Sequence, residues 1–188
     1  PIWAGILLFA ALIIGINLAS VGSFGVIEFA LSSIKVVAVL VFILIGAVLV
    51  LFGMPGQEAP GFVELTADGG FAPMGWAAVW VALSVVMFSF GGIETLGVAA
   101  GEAKNPEKVL PKAINTVPIR ILLFYVLTMA VIMALVPWNQ VDGKASPFVQ
   151  IFEGLGVPFA PHLLNFVVLT AAVSAINACI YASGRLLY

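Results

Sequence analysis

The sequence predicts an all-α integral membrane protein, a bundle of about five transmembrane helices, on three observations. Hydrophobic residues fill 63% of its 188 positions and charged residues 9%, against roughly 25% charged in soluble domains. The mean hydropathy is +1.22, too high for a chain that has to cover its own surface in water. Long apolar runs recur along it, and about 20 mostly apolar residues in a helix cross a bilayer with every backbone group paired internally.

The runs fall at about 2–20, 28–53, 75–100, 117–137 and 160–184, and 1–188 reads as a single transmembrane domain. Pro1 stands where a methionine would open a gene product, and Tyr188 ends an apolar run with no polar tail, so an internal fragment is expected. Connections fall at 54–74, 101–116 and 137–161. Lys104, Lys108, Lys112 and Arg120, four of the seven basic residues, lie in or beside the middle one. The first connection has no basic residue and the third has Lys144 alone. Positive residues mark the cytoplasmic side, so loop 101–116 is expected inside and the other two outside. Arg185 then also falls inside, and Trp3, Trp76, Trp80 and Trp138 fall near the outer span ends, as an interfacial aromatic belt requires. No basic run suits nucleic acid. A single cysteine, Cys179, excludes an internal disulfide and reads as a small packing residue. No nucleophile–base pair, metal cluster or phosphate loop is present, so neither an enzyme nor a cofactor is expected.

Polar residues inside the runs are the candidates for function. Lys35 lies about 10 Å beyond Glu28 along a helix, with Ser32 on the same face. It either snorkels to the interface or is buried, and burial of an ammonium disfavours its charge and lets it exchange a proton. In the third run, Phe88-Ser89-Phe90-Gly91-Gly92-Ile93-Glu94 brings two glycines together, each costing roughly 1 kcal/mol in a helix relative to alanine. Either the helix breaks there and frees carbonyls for a cation, or the glycines serve close packing. Glu94, an intramembrane carboxylate, favours the break. In the fifth run Thr170, Ser174, Asn177 and Tyr181 form a polar stripe beside Ala171, Ala175, Ala178 and Ala182. That stripe either lines a path or joins helices by hydrogen bonds. His162 reads as an interfacial, structural residue. The 101–120 connection is either a solvated loop or a short amphipathic element on the cytoplasmic surface.

The stretch Phe88–Glu94, followed by Gly101-Glu102-Ala103-Lys104-Asn105-Pro106 and Pro111-Lys112-Ala113-Ile114, resembles the sixth helix and following loop of bacterial amino acid permeases. These belong to the amino acid–polyamine–organocation superfamily, in the group importing proline, aromatic amino acids, histidine, D-alanine or 4-aminobutyrate. Pro118-Ile119-Arg120-Ile121, Val136-Pro137-Trp138, Ser146-Pro147-Phe148 and the run from Leu164 to Thr170 continue the likeness in order. It implies a LeuT-type inverted-repeat fold, with the five spans as helices four to eight of twelve.

By the same resemblance, Phe88, Ser89, Phe90, Gly91 and Gly92 match the unwound segment that binds substrate, its carbonyls receiving the ammonium and Phe88 gating the pocket. Glu94 matches a carboxylate linking substrate to the cytoplasmic gate. Lys35 matches a lysine assigned to proton coupling, with Glu28, Ser174 and Asn177 nearby. The group's usual Gly-Glu-x-Glu-Phe-Trp is here Gly25-Val26-Ile27-Glu28-Phe29-Ala30, so one acid and the tryptophan are missing. The resemblance implies a secondary active transporter of the bacterial cytoplasmic membrane. Its partners are an amino acid, a proton, the lipid bilayer and the remaining helices of the full-length protein. Amino acid exchange without protons is the alternative within that class. A non-transporting sensor or scaffold is the alternative outside it, and expects an unbroken helix through Gly91-Gly92.

Overall fold

A computed structural model describes residues 2–18, 21–53, 56, 58–93, 97, 105–141, 143, 146–154 and 159–187, and among these it contains helices and turns but no strand. Helix α1 is Ile2–Leu18, α2 is Val21–Phe52 and α3 is Trp76–Ser89. Helix α4 runs over Pro106–Leu135, with a π-helical stretch at Ile121–Val126. Helices α5 and α6 are Pro147–Gly154 and Ala160–Leu186.

Among the described residues, three helical segments are long and apolar enough to cross a membrane, Phe24–Phe52, Pro106–Leu135 and Ala160–Leu186. They correspond to the second, fourth and fifth expected spans. The other two are shorter: α1 has 17 residues and α3 has 14, about 26 and 21 Å of helix against a hydrocarbon core of about 30 Å. Large apolar side chains such as Leu7, Val37, Leu44, Leu122 and Leu169 are exposed, as lipid or further helices require.

Three boundaries differ from the sequence expectation. Helix α2 begins at Val21 rather than near 28. Helix α4 begins at Pro106 rather than near 117, so most of the expected 101–116 connection is helix. A proline at the first helical position has no N–H to leave unpaired and a fixed φ suited to the helix. The Asn105 carbonyl accepts from the amides of Lys108 at 3.2 Å and Val109 at 3.1 Å, which starts the ladder. Pro118, deeper in α4, lacks the N–H its own turn needs, and the wider π turns begin three residues later, an adjustment that re-pairs backbone groups around a membrane proline. The third difference is α5, inside the expected 137–161 connection. It starts the same way, with Pro147 first and the Ser146 carbonyl accepting from Val149 at 2.9 Å and Gln150 at 3.1 Å.

Contacts divide the chain into two units. Unit 1 comprises Pro1–Val37, Gly92–Lys112 and Phe166–Tyr188, and unit 2 comprises Ala38–Gly91 and Ala113–Asn165. Unit 2 has an apolar core of Phe42, Leu49, Val131, Ile132, Val136 and Ile151. The Phe42 ring sits 4.5 Å from Phe148 and 6.1 Å from Phe152 of α5, both tilted. A Cβ on Gly46 would lie 2.1 Å from Val131 Cγ1, so only glycine lets α2 and α4 approach this closely. Asn139 Nδ2 donates to Asp68 Oδ2 at 2.9 Å. The two connections expected on one side of the membrane therefore touch. In unit 1, α1 and the first half of α2 assemble with α6 around polar groups instead.

Candidate functional site

Glu28, Ser32 and Lys35 follow at spacings of four and three and so share one face of α2. Ser174 and Asn177 share a face of α6, and each is almost fully buried, at 1% and 0% exposure. The two faces meet within unit 1. Lys35 Nζ donates to Ser174 Oγ at 2.7 Å. Ser174 Oγ in turn donates to Glu28 Oε1 in a short hydrogen bond. Ser32 Oγ donates to the same oxygen at 3.2 Å, and Asn177 Nδ2 donates to Oε2 at 3.2 Å. Three donors thus hold the carboxylate, and Lys35 is joined to it through Ser174. Lys35 is half-buried and its amine turns toward α6.

Around this cluster the chain supplies further fixed partners. Asn17 of α1 donates from Nδ2 to Asn177 Oδ1 at 2.7 Å and to the Ile13 carbonyl at 3.1 Å. Phe24 stacks on Tyr181 at 4.1 Å with 10° between rings, and the Arg185 guanidinium lies 5.4 Å from the Tyr181 ring. Pairing runs from Phe24 with Tyr181 to Glu28 with Asn177 to Lys35 with Ser174, so α2 and α6 are antiparallel along this face. Thr170 is also buried but its hydroxyl turns back to the Val167 carbonyl at 2.8 Å. Cys179, expected as a packing residue, is exposed. It lies two residues beyond Asn177, a rotation of about 200° on a helix, and so on nearly the opposite face.

The second cluster of candidates lies at the end of α3, and Phe88, Ser89, Phe90 and Gly91 belong to unit 2. The helix ends at Ser89 and tightens, with the Phe90 amide on the Met87 carbonyl at 3.2 Å and the Gly91 amide on the Phe88 carbonyl at 3.1 Å. Gly92 follows at φ +99, a left-handed conformation that glycine adopts freely. The continuous helix expected of a sensor or scaffold is absent at 90–93. Phe88 is 90% exposed. Tyr125, from the π stretch of α4, donates to the Ser89 carbonyl at 3.2 Å and its ring lies 5.3 Å from Phe90. Glu94, Gly101, Glu102, Lys104 and Lys144 lie outside the described residues. No group of three His, Cys, Asp or Glu able to hold a metal occurs among the described residues.

Two residues at these clusters escape a reading of the sequence. Asn17 carries a weak signal, as the one amide side chain in an otherwise apolar run from Ile2 to Leu18. Tyr125 carries none, since one tyrosine in an apolar helix is ordinary in a membrane protein.

The structure thus carries two unusual features for apolar helices: a half-buried amine and carboxylate joined through a buried hydroxyl, and a helix that ends beside paired glycines. Residues 1–188 match the family described as amino acid permease, and the chain belongs to that family. It is 45% identical over 188 residues to the aromatic amino acid transport protein AroP of Salmonella typhimurium. It is 44% identical over 188 residues to AroP of Escherichia coli O157:H7 and 43% identical over 189 to the amino-acid permease AapA of Bacillus subtilis. Each match covers 100% of this chain and 41% of the relative. No solved structure matches it. Family and apolar helices together make it a multi-pass protein of the bacterial cytoplasmic membrane.

Proposed function

We propose that this chain forms the central part of a secondary active transporter that imports an amino acid with a proton. The observation carrying this reading is the half-buried connection from Lys35 through the buried Ser174 to Glu28. Burying an ammonium and a carboxylate in a membrane is costly, and such groups mark substrate or proton pathways. Family membership supports the amino acid as cargo.

In this reading the spans are helices four to eight of a LeuT-type carrier, with the segment 101–116 on the cytoplasmic side. The substrate ammonium binds carbonyls at the end of α3, around Phe88, Ser89, Phe90, Gly91 and Gly92, and Phe88 closes over it. Glu94 links that site to the inner gate. Protonation at Lys35 favours one conformation through differential affinity, the only means by which a bound ligand or proton shifts such an equilibrium. Aromatic amino acids are the first substrates to test, because AroP is named for them.

The test uses the full-length protein in proteoliposomes. Counterflow of radiolabelled amino acids identifies the cargo, and accumulation under an imposed proton gradient measures coupling. Lys35→Ala is expected to retain part of the counterflow and lose gradient-driven accumulation. Undiminished accumulation in that variant removes Lys35 from the mechanism. Counterflow by the wild type with no response to the gradient makes the protein an exchanger.

A further inference from the structure

The hydrogen bonds around Glu28 are not equivalent at its two oxygens. Oε2 faces an amide. Asn17 Nδ2 donates to both the Ile13 carbonyl and Asn177 Oδ1, which fixes the Asn177 amide with Nδ2 toward Glu28. An amide N–H donates only, so Oε2 stays an acceptor. Oε1 faces two hydroxyls, Ser32 and Ser174. A hydroxyl can rotate from donor to acceptor, so only Oε1 can take up a proton without leaving a buried donor facing a donor.

Ser174 also receives the Lys35 ammonium. Among the described residues its oxygen is therefore the atom bonded to both ionisable groups. Among the described residues, the other titratable side chains placed on this face of α6 are Tyr181, stacked on Phe24, and Arg185, lying over the Tyr181 ring. From α1 the group that reaches it is the neutral Asn17.

We propose that Ser174 is a proton relay between Lys35 and Glu28, and that Glu28 Oε1 is a second resting place for the transported proton. This rests on the proton-symport reading above. In the step, one Lys35 N–H bond breaks as its proton passes to Ser174 Oγ, while the Ser174 O–H bond breaks as its own proton passes to Glu28 Oε1. An ammonium and a carboxylate become an amine and a carboxylic acid, with Ser174 regenerated and no net charge moved out of the site. Both ends of the relay belong to α2 and its middle to α6. Proton exchange between them exists only while the two helices are in contact, so separation of α6 from α2 isolates the proton on whichever group holds it. Ser174 and Glu28 act on the proton, not on the amino acid.

The experiment compares full-length wild type with Ser174→Ala, Ser174→Thr, Glu28→Gln and Lys35→Ala in proteoliposomes. A one-proton symporter of a neutral amino acid concentrates it about 50-fold across 100 mV, inside negative. Ser174→Ala and Glu28→Gln are expected to lose that gradient while still catalysing measurable counterflow, and Ser174→Thr, which restores the hydroxyl, recovers it. Infrared difference spectra on acidification should show a protonated-carboxyl band in wild type and Ser174→Thr, lost in Glu28→Gln and diminished in Ser174→Ala. Wild-type accumulation by Ser174→Ala overturns the relay and leaves symport standing. Equal failure of Ser174→Thr and Ser174→Ala, in proteins of equal melting temperature, likewise overturns it. Wild type that exchanges amino acid but moves no proton overturns symport and relay together. If Ser174→Ala does not fold, an infrared band that survives in Glu28→Gln decides against the proposal and its loss there decides for it.

Discussion

Unit 1 and unit 2 are each held together by different means, although α2, α4 and α6 all contribute to both. Residues of α2 up to Val37 meet α6 through Glu28, Ser32 and Lys35, whereas residues from Ala38 onward meet α4 and α5 through Phe42, Gly46 and Leu49. In lipid there is little hydrophobic drive between helices, so association depends on close packing or on hydrogen bonds. Unit 2 uses packing: a glycine admits Val131, and aromatic rings fill the space beside it. Unit 1 uses hydrogen bonds, and its most deeply buried side chains are Ser174 and Asn177. Packing of that kind has one good arrangement, while rotating hydroxyls have several. Unit 2 is thus held by apolar shape and unit 1 by polar pairing.

The contrast breaks first at Phe42. Phe42→Ala should lower unfolding stability by about 3–5 kcal/mol, the cost of emptying a packed aromatic site. Thermal melting of the detergent-solubilised full-length protein would show it, and under the proposed symport the ratio of protons to amino acid carried should stay as in wild type. A changed ratio would mean that the apolar region takes part in coupling. Next comes Gly46→Ala, expected to cost about 1–3 kcal/mol through overlap with Val131. Val131→Ala should recover much of that loss in the double variant, and strictly additive losses would contradict the close approach. Smallest is Asn17→Leu, which removes a hydrogen bond to Asn177 worth about 0.6 kcal/mol by the average for membrane proteins. Its melting temperature should barely move. Its infrared carboxyl band should shift, because Asn177 is then free to turn its amide on Glu28.

Hydropathy made the existence of the helices legible, since a run such as Val36 to Phe52 has no alternative in a bilayer. Helical spacing likewise placed Glu28, Ser32 and Lys35 on one face and Ser174 with Asn177 on another. The meeting of the two faces was not legible: it depends on the relative register of α2 and α6, and nothing in hydropathy carries register between helices. The starts of α4 and α5 are hard to read from hydropathy because Pro106 and Pro147 interrupt the pattern, yet each occupies the one helical position where proline is at home. Gly91-Gly92 was legible as a weak point, and the turn there follows from glycine's tolerance of positive φ. Tyr125 reaches Ser89 from a π turn, and its partner is set by that change of helical pitch, which the residues themselves do not announce.

The length of α2 has a consequence of another kind. Its 32 residues make a rod of about 48 Å, set in a hydrocarbon layer of about 30 Å. Such a helix has to lean or to project beyond the layer, and the lean it adopts follows membrane thickness. Thinner bilayers tip it further and thicker ones bring it upright. The lean that lipid thickness imposes falls on the same helix that carries Glu28 and Lys35.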